Sequence, residues 1–136
     1  ILIIDDNQEI RSYLNEHLSS NYRILEEENG LEGLKSAEEH LPDIIICDVM
    51  MPKMDGYEFC KALKDDLETD FIPDILLTAK AEQSDKLEGL GLGVDDYIMK
   101  PFDIEEVKAR TDNLIQSRKK LMDRYSKSGI KLELPI

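Results

Sequence analysis

Five polar side chains each follow directly on an apolar run. Asp5 and Asp6 come after Ile1-Leu2-Ile3-Ile4, Asp48 after Ile44-Ile45-Ile46-Cys47, Thr78 after Ile75-Leu76-Leu77, and Lys100 after Tyr97-Ile98-Met99. A charge set just beyond so apolar a segment is costly unless a cation or hydrogen bonds compensate it; for Asp48 alone, capping a turn is the plain alternative. Three carboxylates brought together repel one another and raise each other's pKa unless a cation sits among them. An all-oxygen set favours Mg²⁺ over zinc or copper, because a hard cation keeps several waters and recruits phosphate oxygens. Lys100 adds a second positive charge and Thr78 a hydroxyl donor. Grouped around one carboxylate, these make a receptor for a phosphoryl group, whose in-line transfer needs mainly positioning and charge neutralisation.

Such residues meet only if the runs before them are strands of one sheet. The run ending at Asp48 reads as a short strand buried on both faces, which puts Asp48 at the carboxyl edge, where open parallel α/β sheets bind ligands. Ile10, Tyr13, Leu14, His17 and Leu18 form one helical face, capped by Asp6 or Asn7. His17 stands alone, with His40 far off, and is no metal ligand. Tyr22 to Leu25 reads as strand. Asn29-Gly30 opens a helix with Leu31, Leu34, Ala37 and Leu41 inward, ended by Pro42. Tyr57 to Leu67 gives a helix burying Phe59, Cys60, Leu63 and Leu67. Ile72 to Leu77 is the fourth strand. Ser84 to Leu92 is helical but loosened by Gly89 and Gly91, each costing about 1 kcal/mol against alanine. Val94 to Met99 is the fifth strand. Asp103 and Glu106 form a capping box at the start of the last helix, with Phe102 and Val107 as its staple. Strands alternate with helices over short links, so the connections are crossovers. The expected fold is a doubly wound (βα)5 three-layer α/β sandwich with a parallel sheet.

At 136 residues and 15.6 kDa the chain suits one domain. A net charge of -13 makes direct nucleic-acid binding a poor fit. With no run near membrane-span length and no signal-peptide pattern, it reads as a soluble cytoplasmic segment without membrane contact of its own. Cys47 and Cys60 read as reduced core thiols. The start at Ile1, inside a strand-like run, suggests a fragment, whose parent is free to carry a membrane anchor. Residues 117 to 131 carry Arg118, Lys119, Lys120, Arg124, Lys127 and Lys131 against Asp123 alone. Ile104, Val107, Thr111, Leu114, Arg118, Leu121 and Tyr125 recur at alternating three and four, a heptad-like stripe that either carries signal or pairs two protomers, or else belongs to a helix that packs for three turns and frays beyond. Ser126 to Ile136 has linker character. The expected division is a domain over residues 1–117 and, over 118–136, a helix extension and linker toward an output domain absent from this chain.

Taken together, Ile4-Asp5-Asp6, Asp48-Val-Met-Met-Pro-Lys-Met-Asp-Gly56, Leu77-Thr78-Ala79 and Asp95-Asp96-Tyr97-Ile98-Met99-Lys100-Pro101-Phe102 resemble the receiver domain of two-component response regulators, from Ile1 to about Ser117. The resemblance implies a flavodoxin-like sheet of order 2-1-3-4-5. It also implies a phosphoacceptor switch rather than an enzyme with its own metabolite. Asp48 would be the phosphoacceptor. Asp6 would ligate Mg²⁺ directly, Asp5 partly through water, Asp48 itself and Met50 through its backbone carbonyl. Thr78 would bind a phosphoryl oxygen, and Lys100 would pair with the phosphate, placed by a cis bond to Pro101. Tyr97 would be an aromatic switch coupled to two packings of one face. The implied phosphodonor is a histidine kinase, and the implied homodimer uses the face of the Ser84–Leu92 helix and the last helix. Arg-Tyr-Ser-Lys-Ser-Gly resembles the connector of hybrid sensor kinases whose receiver precedes an AraC-type DNA-binding domain, implying transcription as the output.

Met50 and Met54 as core filling, Tyr97 as a plain strand aromatic, and Asp95-Asp96 as a solvated turn stay open. Asp74, where valine is expected, and Gly91 depart from the pattern; both are expected near the output face. An aspartate-nucleophile phosphatase is a weaker rival, since it wants its second acid two residues after the nucleophile, whereas Asp5 is followed by Asp6 and Asn7. A phosphate-independent module sharing only the fold is the other, and the intact polar set argues against it.

Overall fold

The computed structural model describes residues 1–79 and 93–127, the last three by backbone alone. Its elements run β1 (Leu2–Ile4), α1 (Gln8–Leu18), β2 (Leu25–Glu27), α2 (Gly30–His40), β3 (Ile45–Asp48), α3 (Gly56–Asp65), β4 (Asp74–Ala79), β5 (Asp96–Lys100) and a last helix, α4 (Ile104–Lys127). The helix expected over Ser84–Leu92, with Gly89 and Gly91, and the linker past Lys127 lie outside the described residues. All pairings are parallel and the strand order is β2-β1-β3-β4-β5, as the resemblance implied.

Alternation along the strands divides the core in two. Leu2, Ile4, Ile45, Cys47, Leu76 and Tyr97 pack with Ala37 of α2 and with Phe59, Cys60 and Leu63 of α3. Ile3, Ile46, Ile75, Leu77 and Ile98 pack with Leu14 and Leu18 of α1 and with Val107 and Ile115 of α4. Each central strand is therefore apolar on both sides. Cys47 and Cys60 are free and buried.

Several local readings need correction. The second strand begins at Leu25 rather than Tyr22, because pairing sets it: Leu2 stands opposite Leu25, and the Leu25 N–H donates to the Ile1 carbonyl at 2.8 Å. The inward face of α2 is Gly30, Gly33, Ser36 and Ala37, while Leu31 and Leu41 are 46% and 41% exposed. The helix lies so close to β1 that a Cβ on Gly33 would stand 2.5 Å from Ile4 Cδ1, so small residues take the contact. Tyr13 is 42% exposed, its ring 4.5 Å edge-on from that of His17, and Leu67, beyond the end of α3, is 68% exposed.

At the start of α4, Asp103 Oδ1 accepts the Glu105 N–H at 2.9 Å, and Glu106 turns to Arg110 Nε at 3.1 Å. The capping box forms instead on α3, between Asp55 and Glu58. On α4 the buried residues are Val107, Thr111 and Ile115, with Arg118 and Met122 half-buried and Leu121 44% exposed. The row of Val107, Thr111 and Ile115 is the face this helix turns to the body.

Candidate functional site

Parallel pairing puts the carboxyl ends of the inner strands side by side. Ile4 stands opposite Cys47, Asp48 opposite Leu77, Thr78 opposite Met99, and Ala79 opposite Lys100. Oxygens of Asp5, Asp6 and Asp48 all lie within 4.8 Å of one another. Asp5 and Asp48 are buried and Asp6 is exposed, so the group opens to solvent on one side. Lys100 Nζ donates to Asp48 Oδ1 at 2.6 Å. The peptide between Lys100 and Pro101 is cis.

Asp5 and Asp48 each sit at a hydrogen-bonded corner of backbone. The Asp5 N–H donates to the Glu27 carbonyl at 3.1 Å, and Asp5 Oδ1 accepts the Asn7 N–H at 2.9 Å. Asn7 also caps α1, accepting from Glu9 and Ile10. Beyond Asp48, the Val49 N–H donates to the Leu77 carbonyl at 3.0 Å, and the Gly56 N–H returns to the Val49 carbonyl at 2.8 Å. A Cβ on Gly56 would stand 2.6 Å from the Asp48 carbonyl oxygen and 2.8 Å from Val49 Cα, so only glycine lets α3 start this close. In that loop Lys53 takes a left-handed conformation with φ 70°.

Electrostatics mark the same place. Burial pushes the Asp5 carboxyl up to about 6; Asp48 and Asp6 add to the rise, and the Asn7 N–H and Lys100 oppose it. Asp5 Oδ2 is buried with no hydrogen-bond partner. Carboxylate oxygens only, closely gathered, with one buried oxygen unsatisfied: this donor set fits a hard divalent cation such as Mg²⁺.

Thr78 is buried at the adjacent strand end, its hydroxyl donating to the Ala79 carbonyl at 3.3 Å. Tyr97 sits further down β5, buried on the α3 side, and burial pushes its hydroxyl up to about 12. The Met50 side chain is 66% exposed, while Met54 packs on the core against Gly30. A cavity of about 420 Å³ lies at the other edge of the sheet, lined among others by Tyr22, Leu25, His40 and Asp43.

Two charged groupings escaped the sequence reading. Asp74 is fully buried and bound to Lys64 and Asp95, so it lies inside the body and not on an output face. Asp96 is no solvated turn residue: both its carboxylate oxygens accept from Arg110, at 2.7 and 2.9 Å. An acid inside the apolar run Ile72–Leu77 was the one available signal for the first. Nothing local pointed to Arg110.

Residues 1–112 match the family described as response regulator receiver domain. The chain is 42% identical over 126 residues to histidine kinase P4 of Formosa agariphila, covering 93% of this chain and 9% of that protein. It is 44% identical over 117 residues to the alkaline phosphatase synthesis transcriptional regulatory protein PhoP of Bacillus subtilis, covering 85% of this chain and 48% of that one. It thus spans less than half of either relative. The receiver domain of a Pseudomonas aeruginosa sensor histidine kinase, solved with a magnesium ion coordinated in its active-site cleft, superposes with a TM-score of 0.77 at 30% identity, covering 85% of this chain and 95% of that structure.

Proposed function

Since this chain belongs to the response regulator receiver domain family, a family of phosphoacceptor signalling switches, we propose that Asp48 is the residue that takes the phosphoryl group, from a phosphohistidine of a histidine kinase. The observation that carries this reading is the convergence of Asp5, Asp6 and Asp48, with Lys100 2.6 Å from the last. In the transfer, a carboxylate oxygen of Asp48 bonds to phosphorus as the N–P bond of the donor breaks and the imidazole leaves with the electron pair. Lys100 already neutralises Asp48 and follows the new negative charge as its ion-pair partner. The Thr78 hydroxyl, now on the Ala79 carbonyl, turns to a phosphoryl oxygen. Asp5, Asp6, Asp48 and the Met50 carbonyl would hold Mg²⁺, which when bound offsets their repulsion and draws phosphoryl oxygens into the site. Tyr97, packed beside α3, reports the movement of Thr78 to the face beyond it.

The domain promotes only its own phosphorylation and dephosphorylation and turns over no separate metabolite. Its place is the cytoplasm. Residues 118–136 lead from the domain of residues 1–117 to an output unit. A hybrid kinase arrangement is supported by the identity to a histidine kinase of which this chain spans 9%, and an AraC-type DNA-binding output, hence transcription, by the likeness of Arg124-Tyr-Ser-Lys-Ser-Gly129 to the connector of such hybrids.

Treatment with acetyl phosphate and Mg²⁺, read by intact mass, tests the assignment. Wild type gains one phosphoryl group and Asp48→Asn gains none; equal labelling of both would rule Asp48 out. Beryllium fluoride with Mg²⁺ shifts the NMR signals of Tyr97 in wild type only.

A further inference from the structure

Arg11, on α1, takes no part in the chemistry above, yet its side chain is only 14% exposed and reaches the corner that carries two of the carboxylates. Its Nη1 donates to the Asp5 main-chain carbonyl at 2.5 Å. Its Nε lies 3.4 Å from Glu26 Oε1 on β2, and the other Glu26 oxygen accepts Asn15 Nδ2 of α1 at 2.7 Å. Glu26 stands opposite Ile3 in the sheet, so one guanidinium joins β2, α1 and the end of β1.

The carbonyl it holds belongs to the peptide plane between Asp5 and Asp6. Because a peptide unit is rigid, fixing its oxygen constrains the directions in which both Cα atoms project their side chains. Those side chains are adjacent in sequence, of like charge, and in the same oxygen cluster as Asp48, so the corner is pushed to open. The Asn7 N–H holds Asp5 Oδ1 but does not hold the plane. We propose that Arg11 is a positioning residue for the cation-binding carboxylates, acting through the Asp5–Asp6 peptide plane and itself anchored by Glu26. The inference rests on the receiver reading of the site. A forked, planar donor can meet the carbonyl and the carboxylate together; a lysine ammonium keeps the charge but not the fork.

Mg²⁺ titration of the whole chain by isothermal calorimetry tests this, with thermal unfolding of the metal-free protein alongside. Loss of an outer partner of a metal ligand typically weakens affinity 10- to 100-fold. Arg11→Ala is therefore expected to weaken Mg²⁺ binding about tenfold, Arg11→Lys less, and Glu26→Gln, which leaves Arg11 in place, about threefold. Should Arg11→Ala or Glu26→Gln lower the unfolding temperature while wild-type Mg²⁺ affinity persists, Arg11 is a packing residue and the proposal fails. Full recovery by Arg11→Lys would also overturn it, since charge alone would then suffice. A wild-type chain that takes up no Mg²⁺ overturns the receiver reading itself, and this inference with it.

Discussion

Two groups of carboxylates, each around one lysine, occupy opposite edges of the same sheet. At the carboxyl edge, Asp5, Asp6 and Asp48 share Lys100. At the amino edge, Asp74 and Asp95 share Lys64, at 3.5 and 3.4 Å. There the chain closes on itself. The Asp74 N–H donates to Asp95 Oδ2 at 3.0 Å, the Asp95 N–H lies 3.4 Å from Asp74 Oδ1, and Lys64 also donates to the Ile72 carbonyl at 3.0 Å. The upper group has three acids to one cation; each group has one exposed acid, Asp6 or Asp95, and one buried carboxylate oxygen without a hydrogen bond, Asp5 Oδ2 or Asp74 Oδ2. The lower group has two acids to one cation, tied by main-chain donors. The upper group is thus left with the larger uncompensated charge, which a cation would complete. Burial of Asp74 still pushes its carboxyl up to about 6, against the pull of Lys64 and the Cys60 thiol, so closure does not remove the desolvation cost.

Substitutions should separate the two groups by function first. Lys100→Ala is expected to cut the rate of acetyl-phosphate labelling by two orders of magnitude or more, roughly the loss seen when one charge-stabilising donor is removed. Asp74→Asn should leave that rate within about twofold, by the same intact-mass time course. Comparable losses in both would mean the edges are coupled and the contrast is false.

Stability should order them the other way. Lys64→Ala leaves Asp74 buried without its cation and should cost about 3–5 kcal/mol in urea unfolding. Added Mg²⁺ will not restore it. Lys100→Ala should cost less, and Mg²⁺ should recover most of the loss by binding the folded state alone.

The pH dependence is sharper still. Asp74 titrates near 6 when folded, above its ordinary 3.8. The folded state therefore holds that proton more tightly than the unfolded chain. The contribution of Asp74 is most favourable below about pH 4, falls as pH rises from about 4 to 6, and stays lowered above, by at most about 3 kcal/mol. Asp74→Asn should flatten this part of the curve. Asp5, also near 6, has the same sign, but Mg²⁺ should cancel its share and leave that of Asp74. The smallest effect is expected of Asp95→Asn, about 1 kcal/mol, because Lys64 keeps Asp74 and the Ile72 carbonyl, and the amide oxygen still accepts the Asp74 N–H.

The strands and the acids at their ends were legible because they follow local rules. Ile1–Ile4 and Ile44–Cys47 have the composition of doubly buried strands, and an acid that ends such a run marks its boundary. Helix phase was less secure. Leu31 and Leu41 satisfied the same periodicity as the true contact face of α2, and only the close approach of Gly33 to Ile4 selected the small residues. Along the last helix Ile115 is buried and Leu114 packs half-buried beside it, so the covered face is wider than the stripe read from the sequence.

Composition and spacing along the chain were thus enough for the doubly wound architecture, for the edge where the acids gather and for the kind of cation they suit, because alternation, run length and charge type are properties of neighbouring residues. Which acid meets which base was another matter. Lys64 lies ten residues before Asp74, and Arg11 fifteen before Glu26, in stretches with many other charges. Register and the closeness of a helix to its sheet choose among such partners, and both come from packing across the whole body.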